Sequence, residues 1–543
     1  MNNRLFYFFY LAPLVSGLLL VVSFPPFKLF VPGFLALVPL LYFIDRERSD
    51  LRAAVGAFFC GLVFWGGLLY WITLFSRAGY LVMIAVMSLG GVIFALAVRR
   101  LRSRFGIPVA LSAPFVWTAI DYLLHAHGDL AFTWGQLAYT LTHYPVWLQM
   151  AAFTGAYGVT FWLVSINSLI LVLLTRLVSR EKSSTPARLR LPAVFLFIML
   201  VFPPLLGLAR YSEEKAEKEA AGRLNPGQVR VSYIQPAVPQ EDRWRGEMRD
   251  SAFSLLDSLT LSESANAPDL VVWPEGAAPA HIRTDKYYQA LAGESARKVG
   301  AWLLTGAPDY SHHKDRRGFD SYNAAFLFDP EGKITRNYNK IHLVPISERM
   351  PWEDIFTGLK EIDVGGSHFI PGERHVVFNA GPGRDFGLLI CFESIFPELS
   401  RRLVLGGARF LVNITNDAWF ERTSAAYQHS SFLVLRAIEN SREVVRSANT
   451  GISAFYDRLG RRRQASVLDE VTAATGTVRT YDNLTFYTRW GDWPAHFSWT
   501  VTVLLLLLSL VPENFLPPRL SAGSNRYRTG SEENSISPKQ SGS

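Results

Sequence analysis

Cysteine is nearly missing from this chain: there are 2 among 543 residues. Cys60 lies inside an apolar run near the N-terminus, and Cys391 is the only cysteine between residues 212 and 493. A zinc-type cysteine pair is therefore absent, and no second cysteine in that stretch can close a disulfide with Cys391. Metal-ligand spacing and a phosphate-cradling glycine loop are missing as well, so no metal and no cofactor are expected. Charge is the third scarcity. Over residues 1–210 it is almost confined to short segments between long apolar runs.

Those runs are what the chain has in abundance. A bilayer crossing needs about 20 apolar residues, and candidate spans fall at 7–23, 29–44, 53–75, 80–98, 107–124, 146–177 and 191–209. An eighth, 495–511, carries Val503-Leu504-Leu505-Leu506-Leu507-Leu508. The predicted organisation is a seven-helix membrane domain over 1–210, an extramembrane domain over 228–493, an eighth membrane helix over 494–512 and a disordered cytoplasmic tail over 513–543. The first span also has the look of a signal peptide, but without an evident small-residue cleavage site it reads as an uncleaved anchor. Residues 210–228, with alternating Glu and Lys, read as a helical or flexible connector.

Lys and Arg near span ends are retained on the cytoplasmic side. Arg46, Arg48 and Arg52 follow span two; Arg99, Arg100, Arg102 and Arg104 follow span four; Arg176, Arg180, Lys182, Arg188 and Arg190 follow span six. The loops after spans one and three offer only Lys28 and Arg77. This alternation puts the N-terminus and the tail inside and residues 228–493 outside. It also accounts for much of the net charge of +8, so no nucleic-acid partner is expected.

From Val229 onward the pattern changes to short β-branched runs separated by amphipathic helical stretches. Strands are predicted at 229–234, 270–273, 302–306, 324–328, 387–391 and 410–414, and helices at 247–262, 285–299, 396–405 and 425–442. One α/β domain with a layered sheet fits this pattern. Polar residues gather at the strand ends, where α/β sheets place their ligand sites: Glu275 after Trp273-Pro274, Cys391 after Leu388-Leu389-Ile390, and Asn416-Asp417 after Ile414. Lys340 and Glu348 lie between them in sequence.

A lone thiol at a strand end has the placement of a nucleophile, and equally that of a small buried hydrophobe; Cys391 alone leaves both open. Glu275 and Glu348 can equally be loop carboxylates and Lys340 a solvated charge. Brought into one pocket, the four make coherent chemistry. An ammonium stabilises a thiolate and an acyl oxyanion, a carboxylate accepts the thiol proton, and the backbone N–H after the cysteine adds an oxyanion donor.

Trp273-Pro274-Glu275, Tyr338-Asn339-Lys340-Ile341-His342-Leu343-Val344-Pro345 and Cys391-Phe392-Glu393 resemble the motifs of the nitrilase superfamily. With spans before and after them, the chain resembles its membrane-embedded apolipoprotein N-acyltransferase family. Ser23-Phe24-Pro25-Pro26, Gly155-Ala156-Tyr157-Gly158 and Asn416-Asp417-Ala418-Trp419-Phe420 are similar to that family too. The resemblance implies a multi-span α-helical membrane domain joined to an α/β nitrilase-like αββα sandwich. It implies a Glu-Lys-Cys triad with Glu275 as general base, Lys340 as thiolate and oxyanion stabiliser and Cys391 as acylated nucleophile. Glu348, Phe392 and Glu393 would support it, and Trp244 and Trp419 would contact substrate.

Two departures stand out. Ile346-Ser347 stands where the family usually has Phe-Gly, and Phe392 stands where Tyr is frequent. The implied reaction moves a fatty acyl chain from a phospholipid to Cys391 as a thioester. The N-terminal α-amine of a diacylglyceryl-cysteine apolipoprotein then takes it, completing lipoprotein maturation. The implied setting is a monomer in a bacterial inner membrane with its catalytic domain facing the periplasm.

Three expectations are weaker in the residues themselves. Trp352, Ile355, Phe356 and Leu359 fall on one helical face of segment 350–360, either a lipid-facing lid or a helix packed on the domain. Gln428, His429, Arg436, Glu439, Arg442 and Arg446 read as charges pairing along a solvated or interdomain face of a helical stretch near 425–446, with His429 a packed histidine. Trp134 and Gln136 read either as lining lipid entry or as interfacial anchoring by the tryptophan. The alternatives to an acyltransferase are a membrane-tethered amidase of the nitrilase type and a silent lipid-binding scaffold.

Overall fold

The computed structural model describes residues 3–125, 128, 131–178, 186–220, 227–239, 246–312, 318–356, 358 and 368–512. Helices occupy each of the eight apolar segments. Asp50–Leu68, Arg77–Phe105, Ala151–Val178 and Leu189–Glu217 are long and apolar enough to cross a membrane; Tyr10–Ser23, Val109–Leu124 and Trp493–Leu508 are shorter apolar helices. The second segment is broken, as Pro32–Leu35 and Val38–Arg46, because Pro32 and a proline at residue 39 each begin a helix in its first turn. Ser49 and Ser76 cap the next two helices, accepting from Arg52 N and Gly79 N, and Gly106 ends the second of them at φ 68°.

Small residues let these two helices cross closely. A Cβ on Gly61 would lie 2.8 Å from Ser88 Cα, and one on Gly91 2.8 Å from Ala57 O. The basic segments after spans two and four meet at one end of the bundle. Arg99 binds Asp50 and the carbonyl of Arg48, Arg102 binds Asp45, and Arg100 reaches Ser509 at the end of the last apolar helix.

The α/β domain is built on two six-stranded sheets. The first runs β12 (Thr472–Arg479), β1 (Gln228–Gln235), β2 (Leu270–Val272), β3 (Trp302–His312), β4 (Phe319–Phe328), β5 (Ile334–Asn339). The second runs β11 (Arg462–Arg463), β10 (Ala454–Tyr456), β9 (Val444–Ala448), β8 (Phe410–Thr415), β7 (Asp385–Ile390), β6 (Val377–Asn379). Each has a parallel centre, β1-β2-β3 and β7-β8-β9, with antiparallel strands outside it.

Alternation along the strands makes the layers. Val229, Val231, Leu270 and Val272 face Phe386, Leu388, Phe410 and Val412 between the sheets. Val271, Leu303 and Phe326 point the other way, against Phe253 and Leu256 of helix Gly246–Ser262 and Ala292 of helix Lys286–Val299. Leu389 and Leu411 point outward from the second sheet toward helices Pro397–Leu405 and Ser424–Asn440. This is the αββα sandwich.

That last outer layer does not end at water. Its apolar residues, including Leu399, Phe432 and Leu435, form one continuous core with Phe34, Trp65, Trp134 and Leu163 of the helical domain. All of Ser424–Asn440 is buried except Tyr427. Gln428 Nε2 donates to Pro25 O at 3.1 Å, Thr133 Oγ1 to Ile395 O at 2.7 Å, and Gln149 Nε2 to Leu459 O at 2.9 Å. The helix beginning at Ala151 is kinked at Gly155, whose φ is 64°, and Ala156 N donates to Glu439 Oε1 at 3.0 Å.

Several expectations need correction. The helical stretch expected to run to 446 stops at Asn440, where Ser441 turns left-handed (φ 51°) and Arg442 and Arg446 leave the helix, Arg446 on the central strand β9. No solvated face exists there: Gln428, His429, Arg436, Glu439, Arg442 and Arg446 are all buried. Residues 351–356 form turns instead of a helix, since Pro351 is followed by Trp352 at φ 60°; Leu359 lies outside the described residues. Trp134 is no interfacial anchor. It is buried, its Nε1 donating to Gln428 Oε1 at 2.7 Å, and Gln136 is buried with it. The connector is helical as far as Ala220. The expected tail, 513–543, lies outside the described residues.

Candidate active site

Strand ends bring the candidate residues together. β2 runs into Trp273-Pro274-Glu275, and Trp273 is locked by its Nε1 donating to Thr260 Oγ1 at 2.9 Å. Gly306 on β3 lies so close behind that a Cβ there would be 2.7 Å from Glu275 Cα, which only glycine tolerates. β5 ends at Asn339, so Lys340 is the first residue beyond it, its N–H donating to Asn323 O at 2.8 Å. β7 ends at Ile390, and Cys391 follows in the left-handed region at φ 50°. A non-glycine residue there stores roughly 1–2 kcal/mol, the kind of strain found where side chains must be aimed.

Lys340 is fully buried. Its Nζ lies 2.9 Å from Glu348 Oε2, 3.0 Å from Glu348 Oε1 and 3.5 Å from Glu275 Oε1. Burial alone would strip its proton, but Glu348, then Glu275, outweigh that and hold its pKa above the ordinary lysine value. Cys391 is half-buried; burial and then Glu275 push its thiol well above the ordinary range, with Lys340 opposing them. The resting sulfur is therefore a protonated thiol beside a carboxylate, and that carboxylate can take its proton as a bond forms.

Glu275 Oε2 accepts from Asn416 N at 2.8 Å, and Glu348 Oε2 from Val344 N at 2.8 Å. The Ile346-Ser347 departure does not displace Glu348. Ile346 takes up the turn itself at φ 70°, its N–H donating to Arg349 O at 2.7 Å.

Glu393 sits beneath the reacting groups as a fastener. Its Oε1 accepts from Tyr338 OH and Ile341 N, both at 2.7 Å, and from His342 N at 3.2 Å, while its Oε2 accepts from Ile390 N at 2.8 Å. It thus ties the Lys340 loop to the strand that ends at Cys391. Phe392 is buried and stacks on Phe132 of the helical domain at 6.3 Å. Trp419 is exposed, its ring 6.2 Å from exposed Phe75, at the junction of the two domains. Trp244 lies outside the described residues.

Two groups escaped the sequence reading. Asn323 Nδ2 reaches both Glu275 and Glu348; its signal was a polar residue in line with the apolar Ala324–Phe328 run of β4. The other is a buried set, Asp417, His429 and Arg446, packed under the Cys391 turn: the sequence marks Asp417 as a strand-end residue and His429 as packed, but does not join the three.

Beside the turn a cavity of about 720 Å³ separates the two domains, bounded by Ile341, Phe392 and Phe396 on one side and by Tyr122 and Tyr157 on the other. Arg349, Arg401 and Arg402 also line it. Burial, then His375 and Arg402, draws His342 on the same wall down to about 4, so arginines carry the positive charge there.

Comparison with known proteins agrees with this architecture. Residues 16–169 match the model of the apolipoprotein N-acyltransferase N-terminal domain, and residues 237–478 match that of carbon-nitrogen hydrolases. An apolipoprotein N-acyltransferase of Geobacter metallireducens is 33% identical over 502 residues, 90% of this chain and 92% of the relative. The chain belongs to the apolipoprotein N-acyltransferase family. A second such acyltransferase, of Chlorobaculum tepidum, is 31% identical over 92% of this chain and 96% of its own length. Among solved structures, an amidase from Nesterenkonia sp. overlaps 51% of this chain and 99% of its own at 20% identity, with a TM-score of 0.36. The protein is thus an acyltransferase of the nitrilase superfamily, with several helices apolar enough to span a membrane.

Proposed function

We propose that this protein takes a fatty acyl chain from a membrane phospholipid onto Cys391 and passes it to the N-terminal α-amine of diacylglyceryl-cysteine apolipoproteins. The observation that carries the reading is the convergence of Glu275, Lys340 and Glu348 beside a strained cysteine on a wall shared with the helical domain. Glu275 removes the thiol proton as Sγ adds to the ester carbonyl. Lys340 and the Phe392 N–H stabilise the resulting oxyanion, and Glu275 returns the proton to the departing lysophospholipid oxygen. Glu348 holds Lys340, and Glu393 holds its loop. The amine of the acceptor then attacks the thioester through a second oxyanion at the same place, and Cys391 is regenerated.

The interdomain cavity suits an acyl chain: Phe392, next to Cys391, lines it with Ile341, Phe396, Tyr122 and Tyr157, while Arg349, Arg401 and Arg402 on its wall are paired with Glu353 and Glu398. A site fixed against membrane helices favours a membrane-held amine over water by proximity. Substrate contacts at Trp244 and Trp419 belong to this reading. Gathering of the basic segments after spans two and four at one end of the bundle supports a bacterial inner-membrane protein whose catalytic domain faces the periplasm.

The test is intact-protein mass spectrometry after incubation with phospholipid and no acceptor. A fatty-acyl increment on Cys391, absent from Cys391→Ala and discharged by a diacylglyceryl-cysteine peptide, is expected. Release of ammonia from small amides with no acyl increment would replace this reading by an amidase.

A further inference from the structure

His429 reaches the main chain of Cys391, the proposed nucleophile, and not the Glu275–Lys340 pair. Its Nε2 lies 3.1 Å from the carbonyl oxygen of Cys391, and the Ser394 hydroxyl donates to the same oxygen at 2.9 Å. On the other side of the ring, Nδ1 lies 2.9 Å from Asp417 Oδ1. Asp417 is itself fixed, by Arg446 Nη2 at 2.6 Å on Oδ2 and by the Thr415 hydroxyl at 2.9 Å on Oδ1. Burial alone would favour the neutral acid there, but Arg446 and then His429 outweigh it and hold Asp417 well below the usual carboxylate range. Arg446 Nη2 also lies 3.2 Å from Nδ1 and Ser394 Oγ 3.1 Å from Nε2; a carbonyl only accepts, so the contact to Cys391 O is made with Nε2 as its donor.

Packing fixes the ring as firmly as the hydrogen bonds do. His429 is 1% exposed. Trp134, supplied by the helical domain, stacks on it at 5.8 Å and 26°, and Phe420 meets it edge-on at 5.7 Å.

We infer that His429 is a positioning residue that holds the Cys391–Phe392 peptide in the orientation needed for the oxyanion donor. The peptide is planar and trans, so its C=O and N–H point in opposite directions. Pinning the carbonyl toward His429 and Ser394 turns the Phe392 N–H away from them. Cys391 occupies a left-handed conformation that an L-residue leaves unless its surroundings over-determine it. A flip of this one peptide would aim a carbonyl, instead of a donor, at the developing negative charge. Nε2 faces the carbonyl and not the sulfur, so His429 neither takes the thiol proton nor touches substrate. The inference rests on Cys391 being the acylated nucleophile.

Two reactions of the same sulfur separate the roles. Thioester formation from phospholipid passes through an oxyanion; alkylation by iodoacetamide is displacement at a saturated carbon and needs no such donor. With the full-length protein in detergent, His429→Leu is expected to slow thioester formation about 100-fold, the loss typical of a missing oxyanion donor. KM for phospholipid should stay within about two-fold and the alkylation rate within about three-fold. His429→Gln, which retains an N–H for the carbonyl, should recover about ten-fold of the loss. Should His429→Leu fail to fold, His429→Gln and Ser394→Ala decide by the same ratio of acylation to alkylation. Thioester formation near the wild-type rate in the folded variants, or alkylation falling in parallel with it, overturns the inference. Absence of thioester in the wild type would instead overturn the proposed function.

Discussion

Glu275 and Glu348 are bridged by a single amide: Asn323 Nδ2 lies 2.7 Å from Glu275 Oε1 and 2.8 Å from Glu348 Oε1. Both carboxylates also face Lys340 Nζ, so one ammonium and one amide hold two anions that would otherwise repel each other. Asn323 is thus what allows Glu275, the proposed general base, and Glu348, which anchors Lys340, to occupy the same small volume.

Replacing Asn323 with Leu should free Glu275 to rotate off the thiol. A misplacement of about 1 Å costs on the order of 100-fold in rate. Thioester formation followed by mass spectrometry should fall by about that factor, and the melt of the detergent-solubilised protein should drop too, since two buried carboxylates lose a shared donor, worth about 1–3 kcal/mol. An unaltered rate would mean that Asn416 N aims Glu275 alone.

Lys340→Met leaves two buried carboxylates without their cation. Breaking a buried pair from one side costs about 3–5 kcal/mol, so the variant should melt markedly lower and form no thioester. Lys340→Met combined with Glu348→Gln should recover most of the stability and none of the activity.

The pH response follows from the signs of the shifts. Because the Cys391 thiol is raised above its ordinary value, its alkylation rate should keep climbing through pH 9 without the plateau that an unperturbed thiol, near about 8.5, would show. Lys340 is raised, so its contribution to stability is full below about pH 10.4 and fades only as the pH climbs through its higher folded value. Asp417 is depressed; its contribution is present above about pH 3.9 and is lost only in stronger acid. Stability should therefore change little between pH 5 and 9 on account of these groups, as a melt series would record.

Trp352, Ile355 and Phe356 are 47, 72 and 61% exposed on the turns that follow cavity-lining Arg349, Met350 and Pro351. An apolar trio left in the open beside a lipid-sized cavity suits contact with the membrane surface. Burying a Phe is worth roughly 1.5–3 kcal/mol, so Phe356→Asp should lower turnover of phospholipid in vesicles about ten-fold while leaving the melt and iodoacetamide alkylation as they were. Equal turnover would assign the trio no part in lipid contact.

Strands β1, β2, β7 and β8 were plain in the sequence as short runs rich in β-branched and apolar residues, although Arg230 and Ser232 interrupt β1 and Asn413 interrupts β8. Edge strands β5 and β12 were not, since Thr335-Arg336-Asn337 and the small residues of 472–476 carry no such run. β9 hid for another reason: it is central yet holds Arg446 and Ser447, whose polarity is satisfied by Asp417 and by the carbonyls of Ile234 and Val272. The candidate triad was legible because each member follows a strand end in a short motif. Asn323 and His429 were not, because their importance lies in what they touch across 48 and 38 residues of chain, and spacing along one element says nothing of that.

The kink at Gly155 bears on how the molecule is made. The helix entering at Ala156 has its first amide satisfied by Glu439, 283 residues further along the chain. A helix this long and apolar would enter a bilayer during synthesis long before its partner leaves the ribosome, and a bare amide in hydrocarbon is costly. The nascent bundle must therefore wait with an unfinished helix end, held near the interface where water can stand in. Arrival of the catalytic domain completes it, so a chain that stops short of Glu439 should leave even its early membrane helices open to quality-control proteolysis.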